Sequence, residues 1–193
     1  MLFRSTLDPL ATGLLILCTG KFTRQINTYM AQEKEYTGTI TLGAVTPTYD
    51  LESEPQEFLP WEHIGSARIL EAFAHFTGEQ WQKPPMHSAV KKDGKRLYEL
   101  ARKGKEVEVE PRKITIGAFE LTKADGAQLH FRVVCTTGTY IRSLAHDLGR
   151  YLGCGAYLSS LCRTRIGAFT LQEALSMEQV AAFIQENKVR KDS

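Results

Sequence analysis

The 193 residues hold 24 Lys and Arg against 22 Asp and Glu, a formal charge of +2, and 42% of them are hydrophobic. That balance excludes a collagen-like, coiled-coil or wholly disordered chain. The length can bury about 70% of the unfolded surface in one domain without a metal or disulfide staple. Net charge this close to zero points to no acidic or basic partner, so any such signal must come from local clustering.

Four cysteines, Cys18, Cys135, Cys154 and Cys162, form no Cys-x-x-Cys pair and no disulfide framework, which fits reduced thiols in a cytoplasmic protein. No basic stretch followed by an apolar run opens the chain, and the run from Leu10 to Cys18 is too short to span a bilayer.

In chain order, Leu14 to Cys18 reads as a strand buried on both faces. Phe22, Ile26, Tyr29 and Met30 then recur at the spacing of a short amphipathic helix. Tyr36 to Leu42 alternates, with Tyr36, Gly38, Ile40 and Leu42 on one face and three threonines on the other. The loop that follows is acidic (Asp50, Glu52, Glu54, Glu57, Glu62) and has no basic residue in it to answer that charge. Ile64 to Phe76 returns to helical periodicity. Residues 83–105 carry eight basic residues against two acids. Ile114 to Leu121 and Gln128 to Cys135 read as strands of a hairpin turning at Asp125-Gly126. Ile141, Leu144, Ala145, Leu148, Tyr151 and Leu152 make a helical stripe. Ser176-Met177-Glu178-Gln179 is a capping box for a last helix, and Asn187 to Ser193 is a polar tail expected to fray. Helices mixed with alternating strands predict an α+β domain over residues 1–186 rather than regular βαβ winding.

No Gly-rich phosphate loop, His-Glu-x-x-His pattern or G-x-S-x-G elbow is present, and the five histidines are scattered. The expected chemistry needs neither a metal nor a nucleotide cofactor. The most unusual local feature is Thr6-Leu7-Asp8-Pro9-Leu10-Ala11-Thr12-Gly13. Proline disfavours the α region for its predecessor, so Asp8 is held extended or in a turn, a carboxylate on a stiff loop. An ordinary Asp-Pro turn has the same spacing.

Ser5 to Gly13 resembles the catalytic motif of the TruB family of tRNA pseudouridine synthases. The resemblance continues in order through Lys34-Glu35-Tyr36, Leu42-Gly43, Gln82 to Lys91, Gly94 to Gly104, Gly138 to Arg142, Leu152 to Ala156 and Leu161 to Gly167. It implies the pseudouridine synthase fold, a mixed and mostly antiparallel sheet flanked by helices. It also implies isomerisation of a T-loop uridine of tRNA to pseudouridine by a monomer without cofactor or membrane, with Asp8 as the catalytic carboxylate. Such chemistry requires the base to leave the helical stack.

On this resemblance Tyr36 offers a ring and hydroxyl to the flipped base. Arg142 lies about 100° around its helix from the core stripe, where it would pair with and orient Asp8. Asp50, Tyr140 and Leu161 match positions at the target nucleotide, although the usual Thr-Asp-Thr before the second aspartate reads Thr46-Pro47-Thr48 here. The segment 83–105 matches an RNA-clasping insertion, in which Lys91, Lys92, Lys95, Arg96 and Arg102 would meet phosphates and Tyr98 a splayed base.

Family members carry a further segment before this motif, with a His-x-Gly lead-in that reads Phe3-Arg4-Ser5 here, and often a C-terminal RNA-binding domain. The expectation is therefore an N-terminally incomplete synthase domain. The alternative is a tRNA-binding or tRNA-folding module that keeps the RNA surface without turnover. Hydrolysis of a glycoside by paired carboxylates would leave the basic segment without a use.

Overall fold

The computed structural model describes residues 7–85, 91–92, 95–96 and 109–189. Nine strands and four α-helices occur among them: β1 (Thr12–Gly13), α1 (Ile26–Ala31), β2 (Lys34–Leu42), α2 (Ser66–His75), β3 (Gly78–Gln82), β4 (Lys91–Lys92), β5 (Lys95–Arg96), β6 (Arg112–Asp125), β7 (Gln128–Cys135), α3 (Ile141–Leu152), β8 (Ala156–Ile166), β9 (Phe169–Thr170) and α4 (Met177–Val189). Seven strands form one sheet in the order β1-β8-β2-β7-β6-β3, with β9 on β8. Only the β1–β8 pair is parallel. This is the expected α+β architecture. Among the described residues no helix is long and apolar enough to cross a membrane.

The core lies between the sheet and helices α2 and α3. Ile40, Leu129, Phe131 and Val133 from the sheet meet Phe73, Ile141, Leu144 and Leu148 from the helices, all buried. The opposite face of the central strands is polar, carrying an ion-pair network in which Arg132 bonds Glu35 and Glu120 while Arg165 bonds Glu33.

Period-2 alternation predicts β2 and the β6–β7 hairpin, whose turn carries Gly126 at φ +57°. The alternation in β6 changes phase midway. Ile114 and Ile116 point inward, and so does Phe119, because a bulge at Gly117 inserts one residue between them. Strand β8 escapes a periodicity search for the same reason. Two residues on β8, Ser159 and Thr164, have no partner on β2 where the register shifts, so inward positions run Leu158, Leu161, Arg163, Ile166.

The expected strand over Leu14–Cys18 does not form among the described residues. Pairing with β8 ends at Gly13, and the Leu14 carbonyl accepts instead from the Arg163 side chain (Nε, 2.8 Å), which takes the place of the next ladder bond. Leu14 and Cys18 are buried while Leu15 and Leu17 face out. The predicted helix around Phe22 begins as a 3₁₀ turn over Gly20–Gln25, which leaves Phe22 exposed and buries Ile26. The capping box holds, with Ser176 and Gln179 exchanging side-chain to backbone bonds. Helix α4 continues to Val189, past the start of the polar tail.

Helix α3 can lie close to β8 because Gly149 has no side chain. A Cβ there would overlap the backbone nitrogen of Ala156. Alanine gains about 1 kcal/mol of helix propensity over glycine, while forcing atoms into a packed contact costs about 1–3 kcal/mol. Gly149→Ala should therefore lower stability by up to about 2 kcal/mol, read as a lower midpoint in a thermal melt. A raised midpoint would show that the contact has slack.

Candidate active site

Asp8 opens a tight turn in which the Ala11 amide donates to the Asp8 carbonyl at 2.9 Å, and Pro9 takes the position that suits its fixed φ. From there the chain pairs with β8 through Thr12 and Gly13. Gly13, at φ +106°, has no room for a Cβ against the Arg163 backbone, so only glycine lets the two strands approach this closely. The Asp8 carboxylate is thereby fixed beside the β8 bulge.

Arg142 meets it from the first turn of α3. Its Nη2 donates to Asp8 Oδ1 at 2.9 Å, its Nη1 to the Thr48 carbonyl at 3.2 Å, and its Nε lies 3.6 Å from Asp50 Oδ2. The periodicity placed Arg142 off the core stripe, yet it is only 4% exposed. The loop over residues 46–50 folds above the helix terminus and closes it from water. Asp50 is equally buried, and the acidic loop that lacked a basic residue in sequence finds one in space. Asp8 remains partly open, its side chain 32% exposed. One guanidinium thus holds two carboxylates, one sealed and one facing solvent.

Asp8 and Asp50 line a small crevice with Leu10, Ala11, Leu158, Ser159, Ser160 and Leu161. The bulge at Ser159 returns Leu161 to the inner face beside Leu158, giving the crevice apolar walls. Tyr36 lies on the next strand, paired in register with Arg163. Burial pushes its phenol up to about 12, against the opposing influence of the Arg163 guanidinium. At neutral pH Tyr36 therefore presents a hydroxyl and not a phenolate.

Tyr140 immediately precedes α3, and its backbone is gripped from both sides by the Gln82 side chain, which accepts from its N–H at 2.8 Å and donates to its carbonyl at 3.0 Å. Neither Tyr36 nor Tyr140 lines the crevice itself. Among the described residues no three His, Cys, Asp or Glu side chains come together as a metal site.

Lys91, Lys92, Lys95 and Arg96 form a separate two-stranded hairpin, β4 with β5. Tyr98 and Arg102 lie outside the described residues. Sequence reasoning gave no separate role to Arg163 and Gln82. Arg163 is buried in a strand whose alternation the bulges obscure, and Gln82 acts through its amide on a backbone 58 residues away. Neither leaves a periodic signal.

A part-exposed carboxylate bonded to a buried guanidinium thus stands at the edge of a mixed sheet backed by helices. Residues 3–141 match the TruB family pseudouridylate synthase (N terminal domain), and residues 142–193 match the tRNA pseudouridylate synthase B C-terminal domain. The chain belongs to the TruB family, whose members are RNA-modifying isomerases.

It is 53% identical over 172 residues to the tRNA pseudouridine synthase B of Flavobacterium johnsoniae, covering 89% of this chain and 75% of that one. Its identity to the enzyme of the same name from Parabacteroides distasonis is 48% over 185 residues, covering 96% and 79%. A solved Cbf5-Nop10-Gar1 complex contains a chain that superposes with a TM-score of 0.68 at 28% identity, over 92% of this chain and 44% of that one. An H/ACA RNP bound to a substrate RNA containing 2'-deoxyuridine gives 0.61 at 26% identity, over 87% and 39%. The chain thus spans less than half of either solved chain.

Removing the guanidinium would leave Asp50 buried without its cation. Arg142→Met should cost about 3–5 kcal/mol of folding stability, the usual penalty for breaking a buried pair, and Asp8→Asn much less, because Arg142 keeps Asp50 as its counter-charge and the asparagine oxygen can still accept its bond. Urea unfolding of both variants decides it; equal midpoints would mean that water reaches Asp50.

The raised phenol of Tyr36 also sets an alkaline limit. The unfolded chain ionises its tyrosines near pH 10, so the Tyr36 contribution is complete below about pH 10 and is lost as pH climbs towards about 12. Burial raises the Cys135 thiol to about 11, which erodes stability in the same direction from a lower pH. Tyr36→Phe should flatten only the decline between about pH 10 and 12, measured as urea midpoints across that range. An unchanged decline would assign the loss to other groups.

Proposed function

We propose that this chain isomerises a uridine in the T loop of tRNA to pseudouridine, as a cytoplasmic monomer, with Asp8 as the essential carboxylate. The observation that carries this reading is the 2.9 Å bond from buried Arg142 to the part-exposed Asp8, at the mouth of a crevice with apolar walls. In the reaction the uracil leaves the ribose by breaking its N1–C1′ bond, turns, and rejoins through C5, with the C5 proton released and N1 taking one up. The base has to be out of its stack before any carboxylate can reach the glycosidic bond.

The arrangement suits those demands. Asp8 supplies a charged oxygen on a turn that does not need to move, and Arg142 fixes its direction, so little reorganisation is required at the moment of reaction. Leu161 and Leu158 give the flat base an apolar wall. Tyr36, neutral at working pH, offers a ring edge and a hydroxyl that can donate or accept. Asp50 lines the same crevice as Asp8 and also faces Arg142, so it can act at the base or through that guanidinium. The β4–β5 hairpin carries Lys91, Lys92, Lys95 and Arg96 into the segment expected to hold phosphates, where cations attract RNA of any sequence.

Asp8→Asn keeps the shape and removes the charge. Pseudouridine formation on a T-stem-loop transcript should fall by a factor of about 10² to 10⁴ or more, while affinity for the transcript is retained. Substantial residual turnover would remove Asp8 from the chemistry. A wild-type chain that binds the transcript and forms no pseudouridine would make it a tRNA-binding module instead.

A further inference from the structure

A second cleft, of about 540 Å³, opens on the other side of the loop that covers Arg142. Its walls come from residues 45–59 and from the C-terminal half of α3, and they include Thr46, Tyr49, Gln56, Glu57, His146 and Arg150. Three independent features single it out. Tyr49 and Glu57 are the two non-glycine residues with positive φ among the described residues, at 65° and 50°, and both line this cleft. Such backbone strain persists only where surrounding contacts impose it. Here the Thr48–Ser53 bond, the Val45–Gln56 bridge and the Leu158 amide on the Tyr49 carbonyl impose it.

Two polar atoms of the lining, Thr46 Oγ1 and His146 Nδ1, are buried without a hydrogen-bond partner among the described residues, and Thr46 is only 2% exposed. A buried hydroxyl left unpaired costs about 1–3 kcal/mol, so a ligand able to satisfy it gains that amount back. Finally, Tyr49 and His146 are stacked, centroids 3.9 Å apart and 13° from parallel, and they present a flat aromatic face. Burial lowers the His146 basicity, keeping that ring neutral. Arg150, exposed at the rim, is the cation of the lining.

We propose that this cleft is a second nucleotide site, taking one nucleoside phosphate other than the reacting uridine. The base stacks on the Tyr49–His146 pair, its polar edge meets Thr46 and Gln56, the ribose hydroxyls meet Glu57, and the phosphate meets Arg150. The choice of a nucleotide rests on the reading of the chain as an RNA-modifying enzyme. The occupant is either a nucleotide of the RNA substrate or a free mononucleotide, which share this chemistry. The site also has a route to the catalytic centre. Within one loop, Thr46 and Tyr49 line the cleft while Thr48 and Asp50 hold Arg142. Anything that moves Tyr49 therefore bears on the clamp around Asp8.

The test follows the Tyr49 and His146 ring resonances of the whole chain while uridine, cytidine and adenosine 5′-monophosphates are added, a measurement that needs no turnover. At least one should shift both rings saturably. Arg150→Ala should weaken that binding roughly tenfold without lowering the melting temperature, as expected for one charged hydrogen bond. Thr46→Val, which removes no bond in the free protein, should weaken it further. A T-stem-loop RNA then separates the sources. Displacement of the mononucleotide assigns the cleft to a nucleotide of the RNA, and simultaneous binding assigns it to a free nucleotide. Rings that stay unmoved by every mononucleotide, or shifts that neither substitution alters, would overturn the proposal. Because pseudouridine formation is assayed separately, an inactive chain would contradict the function above without touching this result.

Discussion

A guanidinium buried to 4% exposure has to be surrounded by acceptors or it cannot be buried at all, since an unpaired ion inside a protein costs several kcal/mol. Arg142 finds acceptors in the Asp8 carboxylate and the Thr48 carbonyl and a counter-charge in Asp50, the last two in the loop after β2. No two of these segments are neighbours in sequence to Arg142, so the centre exists only when the domain has closed. The same requirement explains why the centre is stiff. Each partner is tied elsewhere: Asp8 by its turn, Thr48 by Ser53, Asp50 by the Glu52 amide and the bridge to Leu158. Movement of any one would strand a buried charge.

The sheet decides where that centre stands. Strand β8 lies between β1 and β2 and pairs with both, so it carries the Asp8 loop on one side and Tyr36 on the other. Its two bulges break regular alternation and re-aim side chains, as bulges near active sites commonly do. Without the bulge at Ser159, Leu161 would point to the opposite face and the crevice would lose a wall. Without the one at Thr164, the Arg163 and Ile166 side chains could not both face inward. Arg163 then serves two neighbours, capping the Leu14 carbonyl and standing beside the Tyr36 hydroxyl.

Coupling between the two ends of the domain follows from shared loops. Gln82 ends β3 and clamps the backbone of Tyr140, one residue before Ile141 opens α3, while the next residue, Lys83, accepts from Ser143. The basic segment therefore departs from the point at which the helix bearing Arg142 begins. The loop over residues 46–50 makes the corresponding link on the other side, between the second cleft and the same arginine.

Where one residue after another obeys a single period, the sequence alone determined the outcome. Tyr36–Leu42, the Asp125-Gly126 hairpin, the α3 stripe and the Ser176 cap depend on local geometry and on one uniform face, and each appears as read. The ordered motifs likewise identified the family and named Asp8 and Arg142 before any coordinate did. Tertiary structure alone decided the rest. Whether Leu14–Cys18 becomes a strand depended on a distant arginine competing for the Leu14 carbonyl. Helical phase could not tell that Arg142 is buried, because a loop from another part of the chain covers it. The pairing of Asp50 with that arginine, and the strand hidden by two bulges, also arise between segments far apart in sequence. Periodicity records which face a residue takes on its own element, and it holds no information about what another element later places against that face.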